Sequence, residues 1–223
     1  MNEAKSLLRL LQLTNSSLPV GAYSYSEALE YLVEAKIITK ADELQNWLEQ
    51  EICYGAIATE TAIMVRSYQN ADNLIELKKW NNWLSAARET NELRQQSWQM
   101  GQALVRLLRT IQPETKNIFN SFDSPGNYAV VFGVCAYYWQ IDLEIAVRGY
   151  LFSWLSNLIN VGVKLIPLGQ TIGQKLLLEV NNLLISCTPK IINLSDSELG
   201  SCSWGLALAS MQHENQYSRL FRS

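Results

Sequence analysis

The side chains best suited to hold a borderline metal are one histidine, His213, and four cysteines, Cys53, Cys135, Cys187 and Cys202. The cysteines are far apart in sequence and form no C-x-x-C pair, so they read as reduced core thiols. A cage built on several histidines is impossible within one chain, and a zinc site would need His213 and distant cysteines to converge. Nucleophilic chemistry fares no better. No G-x-S-x-G occurs, and a Ser-His-Asp site would depend on His213 beside the tail. There is no G-x-x-x-x-G-K-[ST] loop to cradle a nucleotide. Gly169-Gln170-Thr171-Ile172-Gly173 follows Pro167, where a phosphate loop would follow a strand, and reads as a helix start. Glu49, Glu51 and Glu60 could form carboxylate pairs for acid-base work, but on helices they read as solubilising charges. The expectation is a chain with no catalytic residue, no metal ligand and no cofactor.

Three segments are unusual for another reason. In residues 18–30, Pro19 fixes a backbone angle, Gly21 permits a positive one, and Tyr23 and Tyr25 follow near a helix start. This reads as a rigid, exposed elbow, for which a structural role and a partner-contact role both fit. Leu165-Ile166-Pro167-Leu168-Gly169-Gln170, with Gln174 further on, places amides after a proline break, where they could satisfy helix ends or meet a partner. Residues 213–223 combine Tyr217, Leu220 and Phe221 with Arg219 and Arg222, the aromatic-plus-arginine composition of binding hot spots. This stretch reads as a flexible tail, either merely solvated or folding on a partner.

The elements that must position these segments are helical. Leu93, Ser97, Met100, Leu104, Leu107 and Ile111 step by four and three residues. Leu7, Leu8, Leu10 and Leu11 make a first short apolar face, and Leu44, Trp47, Leu48 and Ile52 another, started at Thr39. Ser24 with Glu27, and Ser195 with Glu198, have capping-box spacing, the second opening a helix toward Ala209. Residues 112–126 read as the longest loop, with a short turn near Ile118. Residues 128–139 and 143–166 are apolar nearly all round and read as buried helices, whose Gly133, Gly149 and Gly162 admit close neighbours. A further helix is expected from Gly169 to Leu184; 183–185 and 191–192 are the best, short, strand candidates. The expected fold is all-α, a single-domain bundle of roughly eight to ten helices over 1–211, with a partner-binding tail over 212–223.

Composition limits the partners. With 18 Lys+Arg against 21 Asp+Glu, the net charge of -3 offers no basic field for nucleic acid. Only 17% of residues are charged, against about 25% in typical soluble domains, while Asn and Gln number 17 and 14. Such a surface favours protein contacts. No apolar stretch is long and uninterrupted enough to span a membrane, and no cleavable signal is evident, so a cytoplasmic location is expected.

The order of certain residues adds a family. Gln12-Leu13, Leu18-Pro19-Val20-Gly21-Ala22-Tyr23-Ser24-Tyr25-Ser26 and Leu29-Glu30 are followed by Ala86, Arg88, Glu89 and Glu92-Leu93-Arg94. Ser97, Met100-Gly101, Val131-Phe132-Gly133 and Leu165 to Gln170 with Gly173-Gln174 continue in register. In these the chain resembles the UreF family of urease accessory proteins. Ala28 stands where many relatives have glycine, and Asn127 where a histidine would be expected; Ala28 reads as a helix former and Asn127 as a helix cap. The resemblance implies a non-enzymatic, homodimeric scaffold that joins UreD (UreH in some systems) and the GTPase UreG on apo-urease, where nickel is inserted with GTP hydrolysis. By matching positions it implies partner contacts at Leu18, Pro19, Val20, Gly21, Tyr23, Ser24, Ser26 and Glu30, and at Tyr217, Arg219, Leu220, Phe221 and Arg222. Two alternatives stay open: Arg219 or Arg222 acting as a finger that activates the GTPase, and a direct nickel carrier, which one histidine makes unattractive.

Overall fold

A computed structural model describes residues 2–200 and 203–223, with side chains from Ala4 onward. The described residues form eleven α-helices and three short 3-10 turns, with no strand. The chain is all-α, as its periodicity predicts.

The centre is built by α4 (Ala56–Gln69) and α8 (Tyr128–Tyr138). Residues 56–67 of α4 and 128–136 of α8 are all buried, which explains why their sequences lack a polar face. Gly133 is the close-approach point: a Cβ there would lie 2.4 Å from the Met64 carbonyl oxygen of α4. Around this pair pack α3 (Ala41–Tyr54), α5 (Leu74–Ala87), α6 (Asn91–Ile111), α9 (Leu143–Leu165) and α10 (Gln170–Ile192). Thr90 caps α6, its hydroxyl accepting from the Leu93 N–H at 3.2 Å, and Leu93, Ser97, Met100 and Leu104 face the core as their spacing predicts. The stripe then drifts onto Leu108, leaving Leu107 half-buried and Ile111 exposed. The Asp142 carboxylate caps α9, and Pro167 follows its end. On the outside, α1 (Asn2–Leu13) lies on α9, with Leu10 over Gly149, where a Cβ would come within 2.6 Å.

Several local expectations are corrected. The strand candidates at 183–185 and 191–192 lie inside α10, which runs on to Ile192 through Pro189. Residues 112–126 are not all loop, since they contain a 3-10 turn, Pro113–Thr115, and α7 (Lys116–Asn120). The Ser195–Glu198 capping box forms, yet it closes only the 3-10 turn Asp196–Glu198; α11 (Trp204–Glu214) starts later and extends past position 211. Asn127 precedes α8 but does not cap it with its side chain. Its amide bonds to Asn81 and Ser85 of α5, fastening α5 to the start of α8.

Glu51 and Glu60 are buried rather than solvated. Glu60 pairs with Arg88 at 3.2 Å, both side chains inside the protein. The Glu51 carboxylate accepts from the Ala56 N–H at 3.2 Å. Burial, then the charges of Glu27 and Glu89, raise Glu51 to about 7 against that bond and Arg88. The thiols are also not all apart: Cys53 on α3 and Cys187 on α10 bring their sulfurs to 3.6 Å, while Cys135 is a free thiol buried in α8. Cys202 lies outside the described residues.

Candidate functional site

The elbow begins with Gly21 in the left-handed region (φ 78°), followed by the 3-10 turn Ala22–Ser24. The Ser24–Glu27 capping box does not form. The Ser24 hydroxyl donates to the Gly21 carbonyl at 2.7 Å, and the Glu27 carboxylate accepts from Gln96 at 2.8 Å and Trp154 at 2.9 Å. Glu27 and Ala28 are themselves left-handed (φ 49° and 64°), and only then does α2 (Leu29–Glu34) start. Ala28 is therefore no helix former here. It occupies a position whose backbone favours glycine.

Residues 213–223 are not a free tail, because they close back onto the elbow. The Ser26 N–H donates to the Ser223 carbonyl at 2.7 Å and the Ser26 hydroxyl donates to the same oxygen, while the Arg222 N–H donates to the Ser24 carbonyl at 2.9 Å. Ser223 also donates its hydroxyl to Gln96 of α6. The Glu30 carboxylate accepts the N–H groups of Leu220 at 2.7 Å and Phe221 at 2.9 Å. His213, fully buried, has Nδ1 3.0 Å from Glu92 and Nε2 3.3 Å from Glu30. Arg219 reaches the other Glu92 oxygen at 2.8 Å, and Phe221 is buried with the Lys164 ammonium 5.8 Å from its ring. The segment is docked rather than free because the Glu30 carboxylate accepts backbone N–H groups that a frayed tail would leave to water, while Glu92 holds the Arg219 guanidinium.

The two segments, some 190 residues apart, thus make one surface. Tyr23 (67% exposed), Tyr217, Leu220 (80% exposed), Arg219, Arg222 and Pro19 face outward. Gly21 and Ser24 are half-buried. Leu18, Val20, Ser26, Glu30 and Phe221 are buried and support the surface from below. Sequence reasoning missed His213 and Glu92 as parts of this arrangement. The available signal was that the one histidine sits among the apolar positions of a short helix.

Beside the elbow a cavity of about 650 Å³ runs inward. Leu18, Val20 and Tyr23 line it from the elbow, Asn157 and Lys164 from α9, and the Glu60–Arg88 pair with Tyr128 and Tyr150 from the interior. Burial raises Glu60 against the pull of Arg88. Pro167 is exposed and Leu168 half-buried, with Gln170 on the cavity wall. Among the described residues no three His, Cys, Asp or Glu side chains form a group able to hold a metal, and no helix is long and apolar enough to cross a membrane.

Fold and site together define an all-α protein in which residues 18–30 and 213–223 converge on one partly exposed surface. The sequence model of the UreF family matches residues 38–181. The chain is 58% identical over 218 residues to the urease accessory protein UreF of Nostoc sp. (strain PCC 7120), covering 97% of this chain and 95% of that protein. It is 54% identical to the urease accessory protein UreF of Microcystis aeruginosa over the full length of both, and 36% identical to that of Alcanivorax borkumensis over 98% of each. The chain belongs to the UreF family of urease accessory proteins. The matched region omits the elbow and the tail, but the full-length similarity to the Microcystis protein takes in both.

Proposed function

We propose that this protein is a urease maturation factor, a cytoplasmic, homodimeric, non-enzymatic scaffold. It joins UreD (UreH) and the GTPase UreG on apo-urease for GTP-dependent nickel insertion. The observation that carries the reading is the elbow–tail surface, on which Tyr23, Tyr217, Leu220 and Arg222 are exposed over a hydrogen-bonded base. A base that is already hydrogen-bonded spares the backbone ordering cost when a partner docks, and aromatic and arginine side chains are those that most often carry binding energy. Family membership supports the maturation role. The test is mixing with UreD and UreG homologues, with Tyr217→Ala/Leu220→Ala as the disrupting variant. The expected result is loss of the complex with unchanged folding; a variant that assembles normally overturns this placement of the contacts.

A second reading gives the same surface a catalytic part in the GTPase. Arg222 favours it, since its backbone is fixed on Ser24 while its side chain is exposed, as an arginine finger requires. Arg222→Ala would then lower GTP turnover while assembly persists. Lost assembly with unchanged turnover per complex rules the finger out.

A further inference from the structure

His213 is placed between two carboxylates, one on each side of its ring. Glu92 of α6 faces Nδ1 at 3.0 Å and Glu30 of α2 faces Nε2 at 3.3 Å. A neutral imidazole carries one N–H and one lone pair, so it can donate to only one of them. The imidazolium donates to both. The same carboxylates hold the tail: Glu30 accepts from Leu220 and Phe221, and Glu92 from Arg219. We propose that His213, as the imidazolium, is the positioning residue that holds residues 219–223 in the partner-binding arrangement. The partner then dissociates as the ring loses its proton.

The charges around the ring support this. Glu30 and Glu92 against His213 and Arg219 sum to zero when the ring is protonated. Loss of the proton leaves one uncompensated negative charge in a buried site and turns a lone pair toward a carboxylate oxygen. Either carboxylate can relieve that contact only by moving, and each movement releases part of the tail. Two further charged groups touch the tail rather than the ring. Glu34 of α2 accepts from Gln216, and Lys164 of α9 lies beside the Phe221 ring. Burial pushes the imidazole down, but the hydrogen bonds and charges of Glu92 and Glu30 outweigh it and raise the group above its ordinary 6.5. With the folded value raised, the clamp is complete below about pH 6.5 and is lost as pH rises through the folded value.

The inference rests on the elbow–tail surface being the docking site, and the test separates the two. Since the chain has one histidine, the Cε1–Hε1 NMR signal of the ¹³C-histidine-labelled protein reports His213 alone. The expected result is a midpoint above 6.5, with hydrogen-exchange protection of the Leu220 and Phe221 amides falling at the same midpoint. Affinity for the UreD homologue should fall by about tenfold per pH unit above it, the slope of a single linked proton. In His213→Gln that pH dependence should be flat. A midpoint at or below 6.5, or tail amides indifferent to the titration, overturns the proposal without reference to any partner. Amides that follow the titration while affinity does not would support the clamp and overturn the docking site.

Discussion

Replacing Glu30 by alanine removes the acceptor for two tail N–H groups and one side of the His213 bridge. The Glu30 side chain is only 9% exposed, so solvent screens these contacts little. A hydrogen bond to a charged group contributes roughly 1.5–3 kcal/mol, and breaking a buried pair costs roughly 3–5 kcal/mol. The three contacts share one carboxylate and are not additive, so we expect a loss of about 4 kcal/mol. For a chain of this size, at roughly 2–4 °C per kcal/mol, that is a drop in Tm of about 10 °C. Glu30→Gln keeps one acceptor oxygen but no charge and should lose roughly half as much. The assay is urea denaturation followed by circular dichroism, with thermal melts beside it. A Glu30→Ala protein that melts within 1 °C of the parent would show that the tail is not docked on α2, and the composite surface would fail with it.

Other perturbations test other parts of the structure. Ala28→Gly should raise stability by about 1 kcal/mol, because the residue has φ 64°; a destabilised variant would contradict the left-handed backbone. Gly133→Ala should destabilise by about 3 kcal/mol, since its Cβ would press on the Met64 carbonyl, which has no free side chain to swing away. Glu51, raised to about 7, keeps its proton in the fold after the unfolded chain has lost it near 4.5, so it lowers stability progressively across that window. Glu51→Gln should therefore be more stable by about 3 kcal/mol at pH 8 and little changed at pH 4, as denaturation at the two pH values would show. Cys53, pushed up to about 11 by burial and then by Cys187, should react slowly with thiol reagents at pH 7. Diamide should nevertheless join it to Cys187, and peptide mapping that finds them unlinked would refute their proximity.

The helical class was legible because α6 and α8 advertise it, one by its stripe and the other by its unbroken apolar face. The C-terminal half of α10 was not. A short apolar run such as 183–185 has no period to separate helix from strand, and the helix in fact continues through Pro189 to Ile192. Glu60 looked solvated because helical spacing says nothing about Arg88, which arrives from beyond α5, and Glu51 because it says nothing about the Ala56 N–H at the start of α4. The same limit applies to the site. Ser24 and Glu27 have capping-box spacing, but Gln96 and Trp154 take the Glu27 carboxylate from α6 and α9. The elbow and the tail were each visible in sequence. That they meet depends on Glu30 and Glu92, whose acceptors are placed by tertiary packing alone.

The most direct test of the central claim is light scattering coupled to size exclusion, on the protein alone and then with its UreD and UreG homologues. The protein alone should be a dimer that shifts to a discrete larger complex on mixing, and the Tyr217→Ala/Leu220→Ala protein should be a dimer that does not. A well-folded parent protein that ignores both homologues, or a variant that assembles as the parent does, would contradict it.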